Sequence, residues 1–317
     1  MAIAEHAHFV VISRMDQLRV YDAQTGRKSS EVNVPPGIVR FTGVAAADAG
    51  IYFASCQSAK GGEQLIARVR VSPDGECSEL AIIDTAGGVS LGKITGNTIS
   101  SSPDASRIIF AVSRARISAA SRTATYSRFF PSSGILETVR SQWPGQISSL
   151  SWSGAGDKLA FMWQGEMPVR TGHLSQDSAN APSFGIRTCN ASAADLPAAS
   201  NLVARLSTGL GDLSCPVLSG SGMSVYAVAK TDSSAAGRLP PSVKLLRFPL
   251  ETGEAEVLAD DIEVAGAGEF VCLCRSSDDS ALMLFERHRV SRLDLVTGSY
   301  TEIAGYERGP VIASAAW

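Results

Sequence analysis

The feature that most limits what this chain can fold into is a pair of β-hairpin patterns that alternate along it. The first pattern is an apolar run, a small-residue turn and a second apolar run. ISSSPDASRIIFAV (99–112) shows it most clearly, followed by ISSLSWSGAGDKLAFMW (147–163), LSCPVLSGSGMSVYAVA (213–229) and FVCLCRSSDDSALMLF (270–285), with a weaker copy in FTGVAAADAGIYFAS (41–55). Pro103, Gly154 and Gly220 mark its turns. The second pattern is a strand, a turn ending in Gly and another strand, as in LRVYDAQTGRKSSEV (18–32), ARVRVSPDGECSEL (67–80), SRFFPSSGILETV (127–139), LLRFPLETGEAEVL (245–258) and SRLDLVTGSYTEI (291–303). A degenerate copy lies near 184–203. Short runs rich in Val, Ile, Leu, Phe and Tyr, broken by Gly, Pro, Ser and Asp, are a strand signature. No convincing run has the i, i+3, i+4, i+7 spacing of an amphipathic helix.

One hairpin of each kind makes a four-stranded antiparallel unit, the blade of a β-propeller. Equivalent turns fall near residues 47, 103, 154, 220 and 277, a period longer than that of the WD-type repeat because several loops are long. The ends supply the remaining strands. The closing VIASAAW matches the stretch through Trp152 that precedes a turn, and HFVVIS (8–13) opens with the strand that copy lacks. Pairing the C-terminal strand with three N-terminal ones would close the ring and cover its edges. The expectation is all-β: a single domain over 1–317, a six-bladed β-propeller with its last blade shared between the termini. Seven blades, with one hidden in 164–212, is the alternative.

Composition excludes some functions. At 44% hydrophobic and 19% charged, the chain can bury a core and is not a disordered segment. A net charge of −3 offers no basic excess for nucleic acid. MAIAEHAHFVVISRMD has neither the basic nor the apolar region of a signal peptide, and no run approaches a membrane span. As written, the chain reads as soluble and cytoplasmic, or as an extracytoplasmic domain if an anchor was removed. Cys56, Cys77, Cys189, Cys215, Cys272 and Cys274 show no zinc spacing and read as small buried thiols. Their even number also permits disulfides, with connectivity undetermined.

SSPDASRIIFAV and SLSWSGAGDKLAFMW resemble the repeats of TolB-like and WD40-like propellers. The order of a YD-x-x-TG opening, FTGVAAAD-x-G-x-YF, the two quoted blades and a closing AAW is similar to a group of actinobacterial propellers over nearly the whole chain. Many members of that group carry an N-terminal membrane anchor. The resemblance implies the fold and no established activity. It implies no catalytic residues.

Motifs for chemistry are sparse. Gly88-Val-Ser90-Leu-Gly92 has the pattern of a nucleophile elbow, and Gly87 to Lys93 nearly that of a P-loop. Both lie between β-hairpins without the helix each needs, and Ile94 stands where a P-loop has Ser or Thr. His6 and His8 could share a strand face but have no visible third ligand. Aligning the turns places Gln146, Asp212 and Glu269 at matching positions where innermost strands begin. Converging there, they could hold Ca²⁺ on the propeller axis as a Lewis acid.

The longer connections open on one end of the propeller: 56–64, 113–125, 163–183 and 229–242 within blades, and 84–98, 140–147 and 200–212 between them. Long loops on one end of a rigid scaffold are where binding concentrates. Here they carry Arg114, Arg116 and Arg122, Trp163 with Arg170 and His173, Trp143, Tyr306 and Arg308, with Arg40 beside them. Arg and Trp suit interface anchors, and Arg suits carboxylates and phosphates. The reading is a non-catalytic module presenting this face to a protein, peptide or anionic ligand, with no cofactor. The alternatives are a lactonase-like hydrolase or lyase with an axial divalent cation, and a cyclase-type enzyme with an apolar pocket ringed by Trp143 and Trp163.

Overall fold

A computed structural model of the chain describes residues 8–13, 16–23, 25–48, 50–60, 63–86, 91, 94–112, 123–165, 185–205, 207–208, 211–230, 242–263, 270–276, 278–286, 289–305 and 312–316. Among these, no helix is long and apolar enough to cross a membrane.

The strands form antiparallel sheets in chain order. β4 (Ile38–Ala46), β5 (Ile51–Ser58), β6 (Gln64–Val71) and β7 (Cys77–Ile83) make one, and β20 (Phe270–Arg275), β21 (Ala281–Glu286), β22 (Arg289–Asp294) and β23 (Tyr300–Gly305) another. β16 (Gly211–Leu218), β17 (Ser224–Lys230), β18 (Ser242–Pro249) and β19 (Glu256–Glu263) make a third, to which the two-residue β15 (Ser207–Thr208) adds beside β16. A fourth joins the ends of the chain. β24 (Ile312–Ala316) pairs with β1 (His8–Ser13), which pairs with β2 (Gln17–Asp22) and then β3 (Lys28–Asn33). Val10 lies opposite Ala316 and Val11 opposite Ala315.

The fifth sheet has seven strands: β8 (Ile94–Ser101), β9 (Ile108–Val112), β10 (Thr123–Phe130), β11 (Ile135–Trp152), β12 (Lys158–Gly165), β13 (Gly185–Asn190) and β14 (Asn201–Arg205). The 18-residue β11 is the join. It pairs with β10 as far as Pro144 and with β12 from Gly145 onward. The sequence expectation of a loop at 140–147 is therefore corrected. The backbone turns from one partner to the next at Gly145, where φ is +155°. A Cβ at Gly145 would collide with the Trp163 ring and lie 2.8 Å from the Gln164 carbonyl oxygen.

The core is a series of layers between consecutive sheets. Leu18 and Val20 pack on Phe41, Tyr52 and Val69. Phe53 and Ile66 pack on Phe110 and Phe129. Ile109 and Tyr126 pack on Phe161 and Trp163, Met162 and Ile186 on Val225 and Phe248, and Tyr226 and Val228 on Leu282 and Leu284. The innermost strands touch in a closed circuit: β24 meets β4, then β8, β11, β16 and β20 follow and return to β24. This is an all-β propeller of four-stranded antiparallel blades. Second strands such as β21 are buried at every residue because sheets cover both their faces. That is why they read as unbroken apolar runs rather than alternating ones.

The turn after each innermost strand repeats one device. Ser102, Ser153, Ser219 and Ser276 are each buried. Each donates its N–H to the carbonyl five residues on, at 2.8, 3.0, 2.8 and 2.9 Å. Each Oγ accepts the N–H of that same residue, at 2.9, 3.1, 3.0 and 3.0 Å. The left-handed position in the loop falls to Ala105, Gly156, Gly222 and Asp279. In the weaker copy Ala47 replaces the serine, and the turn is one residue shorter, closed by Ala47 N–H to the Ile51 carbonyl at 2.8 Å.

The degenerate hairpin near 184–203 is β13 and β14. Among the described residues of 185–208 no additional four-stranded sheet forms. The cysteines carry thiols, with Cys56, Cys189 and Cys272 buried and Cys77, Cys215 and Cys274 half-buried.

Candidate binding face

The two ends of the propeller differ in construction. At the end with the serine turns, neighbouring blades are bonded to one another through backbone. Asp48 N–H donates to the Pro103 carbonyl at 2.7 Å and Gly154 N–H to the Gly220 carbonyl at 2.8 Å. Gly220 N–H meets the carboxylate of Asp279 at 2.6 and 2.8 Å. Arg107 reaches the Gly156 carbonyl at 3.4 Å and lies over the Trp152 ring. This end is spent on holding the blades together.

The opposite end carries the mouth of the axial circuit, where innermost strands begin. Arg40, near the start of β4, is exposed, and its Nε donates to Gln57 Oε1 at 2.7 Å. Beneath it, Thr42 Oγ1 lies 2.8 Å from Ser55 Oγ and 3.2 Å from Gln64 Oε1. Ser55 and Gln64 are buried, so a polar seam runs inward from Arg40. Gln146 and Gln164 face each other across β11 and β12, and both are exposed. On the last sheet, Arg289 Nε and Nη2 both donate to Glu286 Oε1, at 2.9 and 2.7 Å. Burial works against the Arg289 charge, but the bond and charge of Glu286 outweigh it and hold the guanidinium above its ordinary value. Sequence reasoning passed over Gln57, Gln64, Glu286 and Arg289. The available signal was a polar residue closing an otherwise apolar strand, as in ALMLFE.

Of the residues the sequence grouped, Arg40, Trp143, Gln146, Trp163 and Asp212 are among those described. Arg40 stands at the mouth. Trp163 is wholly buried, and Trp143 packs half-buried against the same cluster, so these aromatics belong to the layer between β9–β11 and β11–β13. The apolar ring expected for a cyclase-type pocket is corrected accordingly. Gln146 lies exposed in β11, and Asp212 lies in β16 opposite Lys230 and Ser207. Arg114, Arg116, Arg122, Arg170, His173, Glu269, Tyr306 and Arg308 fall outside the described residues, as do His6 and Ser90. No group of three His, Cys, Asp or Glu among the described residues could hold a metal.

One connection at the bonded end is longer than expected. Residues 191–200, between β13 and β14, fold back over the edge of the layer between the two halves of the seven-stranded sheet. Leu196 is fully buried there. Tyr126 Oη donates to the Ala194 carbonyl and accepts from Leu196 N–H, both at 3.1 Å.

No protein-family profile matches the sequence, and no curated protein matches it. Among solved structures, a Bacteroides uniformis protein provisionally assigned as a 6-phosphogluconolactonase is similar over 97% of this chain and 98% of its own, at 10% identity and a TM-score of 0.56. Oligogalacturonate lyase from Vibrio parahaemolyticus is similar over 95% of this chain and 80% of its own, at 10% identity and a TM-score of 0.51. The tricorn protease is similar over 97% of this chain, at 10% identity and a TM-score of 0.53, but this chain spans only 30% of its length. Identity at this level carries the fold and nothing finer.

Proposed function

We propose that the chain is a non-catalytic binding propeller that presents its mouth face to a protein, peptide or anionic ligand. The observation that supports this is the asymmetry between the ends. One end is committed to blade-to-blade bonds, while the other sets an exposed guanidinium and exposed amides around the mouth. A fixed bidentate donor among amides suits carboxylate or phosphate groups. The reading takes 1–317 as one domain of six blades. The two halves of the seven-stranded sheet count separately because Tyr126 and Phe161 pack between them, as side chains do between any two blades. Membership in a TolB-like or WD40-like actinobacterial group, and a location on either side of a membrane, belong to the same proposal.

A second reading, a lactonase-like hydrolase or lyase with axial Ca²⁺, keeps some support because Gln146 opens the part of β11 that pairs with β12 and Asp212 lies near the start of β16. Thermal unfolding separates the two. The binding reading expects Ca²⁺ after chelation to leave the midpoint unchanged. It also expects acidic peptides or phosphorylated sugars from a panel to bind, with affinity reduced at least tenfold in Arg40→Glu. A Ca²⁺-dependent rise in midpoint that Asp212→Ala abolishes would overturn it in favour of the axial-metal enzyme.

A further inference from the structure

Away from the mouth, the segment 191–200 bonds two arginines that form no ion pair among the described residues. Arg187 and Cys189 are two apart on β13 and so share a face. Cys189 packs in the layer with Tyr126 and Val139, so that face is turned toward β10 and β11. Arg187 is 9% exposed. Its Nε donates to Ser200 Oγ at 2.6 Å and its Nη2 to the Ser200 carbonyl at 2.8 Å. Across the layer, Arg128 Nη2 donates to the carbonyls of Ala193 and Ala194 and to Tyr126 Oη. Its Nε is buried with no hydrogen-bond partner among the described residues. Both guanidiniums act on the Cys189 thiol, which places both in its neighbourhood. Among the described residues, neither forms an ion pair with a carboxylate, although Glu137 stands opposite Arg128 across β10 and β11. Asp195, the acid of the same segment, accepts from Ser141 Oγ at 3.2 Å and from Ala198 N–H at 3.4 Å.

Burying a cation against neutral acceptors alone is costly, and buried charges are ordinarily compensated. Burial does push Arg187 below its ordinary value, with only the nearby Cys189 acting the other way. The remaining guanidinium donors and the orphaned Arg128 Nε are a donor set for oxygen atoms that the described chain does not supply. We propose that Arg128 and Arg187, beneath the 191–200 segment, form a second binding site that takes an oxyanion, carboxylate or phosphate, as their shared countercharge. The site lies at the rim of the layer between the halves of the seven-stranded sheet, independent of the mouth.

The test titrates the full chain with inorganic phosphate and, separately, acetate, at ionic strength fixed with NaCl. It reads the thermal midpoint and the arginine Nε–H resonances by NMR. The expected result is a saturable rise of about 4 °C at a hundred times the dissociation constant, with the Arg128 and Arg187 resonances moving along the same curve. Saturation by phosphate alone or by acetate alone supports the site and identifies the source of the oxygen atoms. Arg128→Lys keeps the charge but removes the orphaned donor, and should weaken binding at least tenfold while the anion-free midpoint stays near that of the parent. Arg187→Gln should abolish binding. If that variant does not fold, Arg128→Lys and the resonances decide. A linear response matched by NaCl alone would overturn the site. So would resonances that do not move, or a Glu166→Gln/Asp177→Asn variant that gains phosphate binding the parent lacks. That last result would show that the 166–184 segment supplies the countercharge.

Discussion

Replacing Ser153 by alanine tests whether the serine turn is what closes each innermost hairpin. Ser153 is fully buried, and its Oγ is the acceptor for Lys158 N–H at 3.1 Å while donating to Asp157 Oδ1 at 2.6 Å. The backbone bond from Ser153 N–H to the Lys158 carbonyl would survive. What alanine removes is a side-chain acceptor of a part-buried backbone donor, and leaving such a donor unsatisfied costs about 1–3 kcal/mol. A central value near 2 kcal/mol corresponds to a midpoint lowered by about 3 °C at this chain length. The Ser153 bond also holds the Asp157 carboxyl below its ordinary value. A lowered folded value stabilises above the unfolded carboxylate pKa of about 3.9 and is lost as pH falls through the folded one. The gap between parent and variant should therefore narrow below about pH 4. Differential scanning calorimetry at pH 7 and pH 3 measures both effects. Ser133→Ala is the control, since its Oγ makes only 3.4 Å contacts in an exposed turn. A Ser153→Ala midpoint within 1 °C of that control at pH 7 would refute the reasoning.

Other expectations follow from the same geometry. Burial pushes the thiols of Cys56, Cys189 and Cys215 up to about 12, so iodoacetamide at pH 8 should label them only after unfolding, as peptide mass spectrometry would show. Gly145→Ala drives a Cβ into the Trp163 ring and should cost about 1–3 kcal/mol in urea unfolding, by overpacking. Trp163→Ala should cost about 3–5 kcal/mol, whereas Arg40→Ala should leave stability within about 0.5 kcal/mol. Glu286→Ala removes the carboxylate that Arg289 bonds and should cost about 3 kcal/mol, much of it recovered by adding Arg289→Met.

The architecture was legible because blade packing writes itself into the chain. A strand covered on both faces has no solvent side, so FVCLC and ALMLF stand out as apolar runs. Each turn must return the chain within six residues, so Ser, Gly and Asp recur at fixed offsets. The match between the two termini showed the shared sheet for the same reason. The break in legibility came at β11. The string SQWPGQ has the Pro and Gly of a loop, yet the backbone there stays extended and trades β10 for β12 at Gly145. Composition alone does not distinguish a turn from a strand that changes partners.

Tryptophan is ambiguous for a related physical reason. Trp143 and Trp163 lie where the sequence suggests long connections, and a large aromatic there suits an interface as well as a core. A propeller layer extends to the ends of its strands, so a large side chain there can still be buried between blades, as Trp163 is. Arginine is ambiguous in the opposite sense. Arg40 is exposed at the mouth, while Arg128 and Arg187 lie within or beside strands and are drawn under a connecting segment. What distinguishes them is the nature of their partners: an amide at the surface for Arg40, and carbonyls and hydroxyls without a carboxylate for the other two. Hydrophobic periodicity fixes which residues lie between blades, but it carries no information about charge compensation. The two proposed sites therefore emerge only once partners and burial are known together.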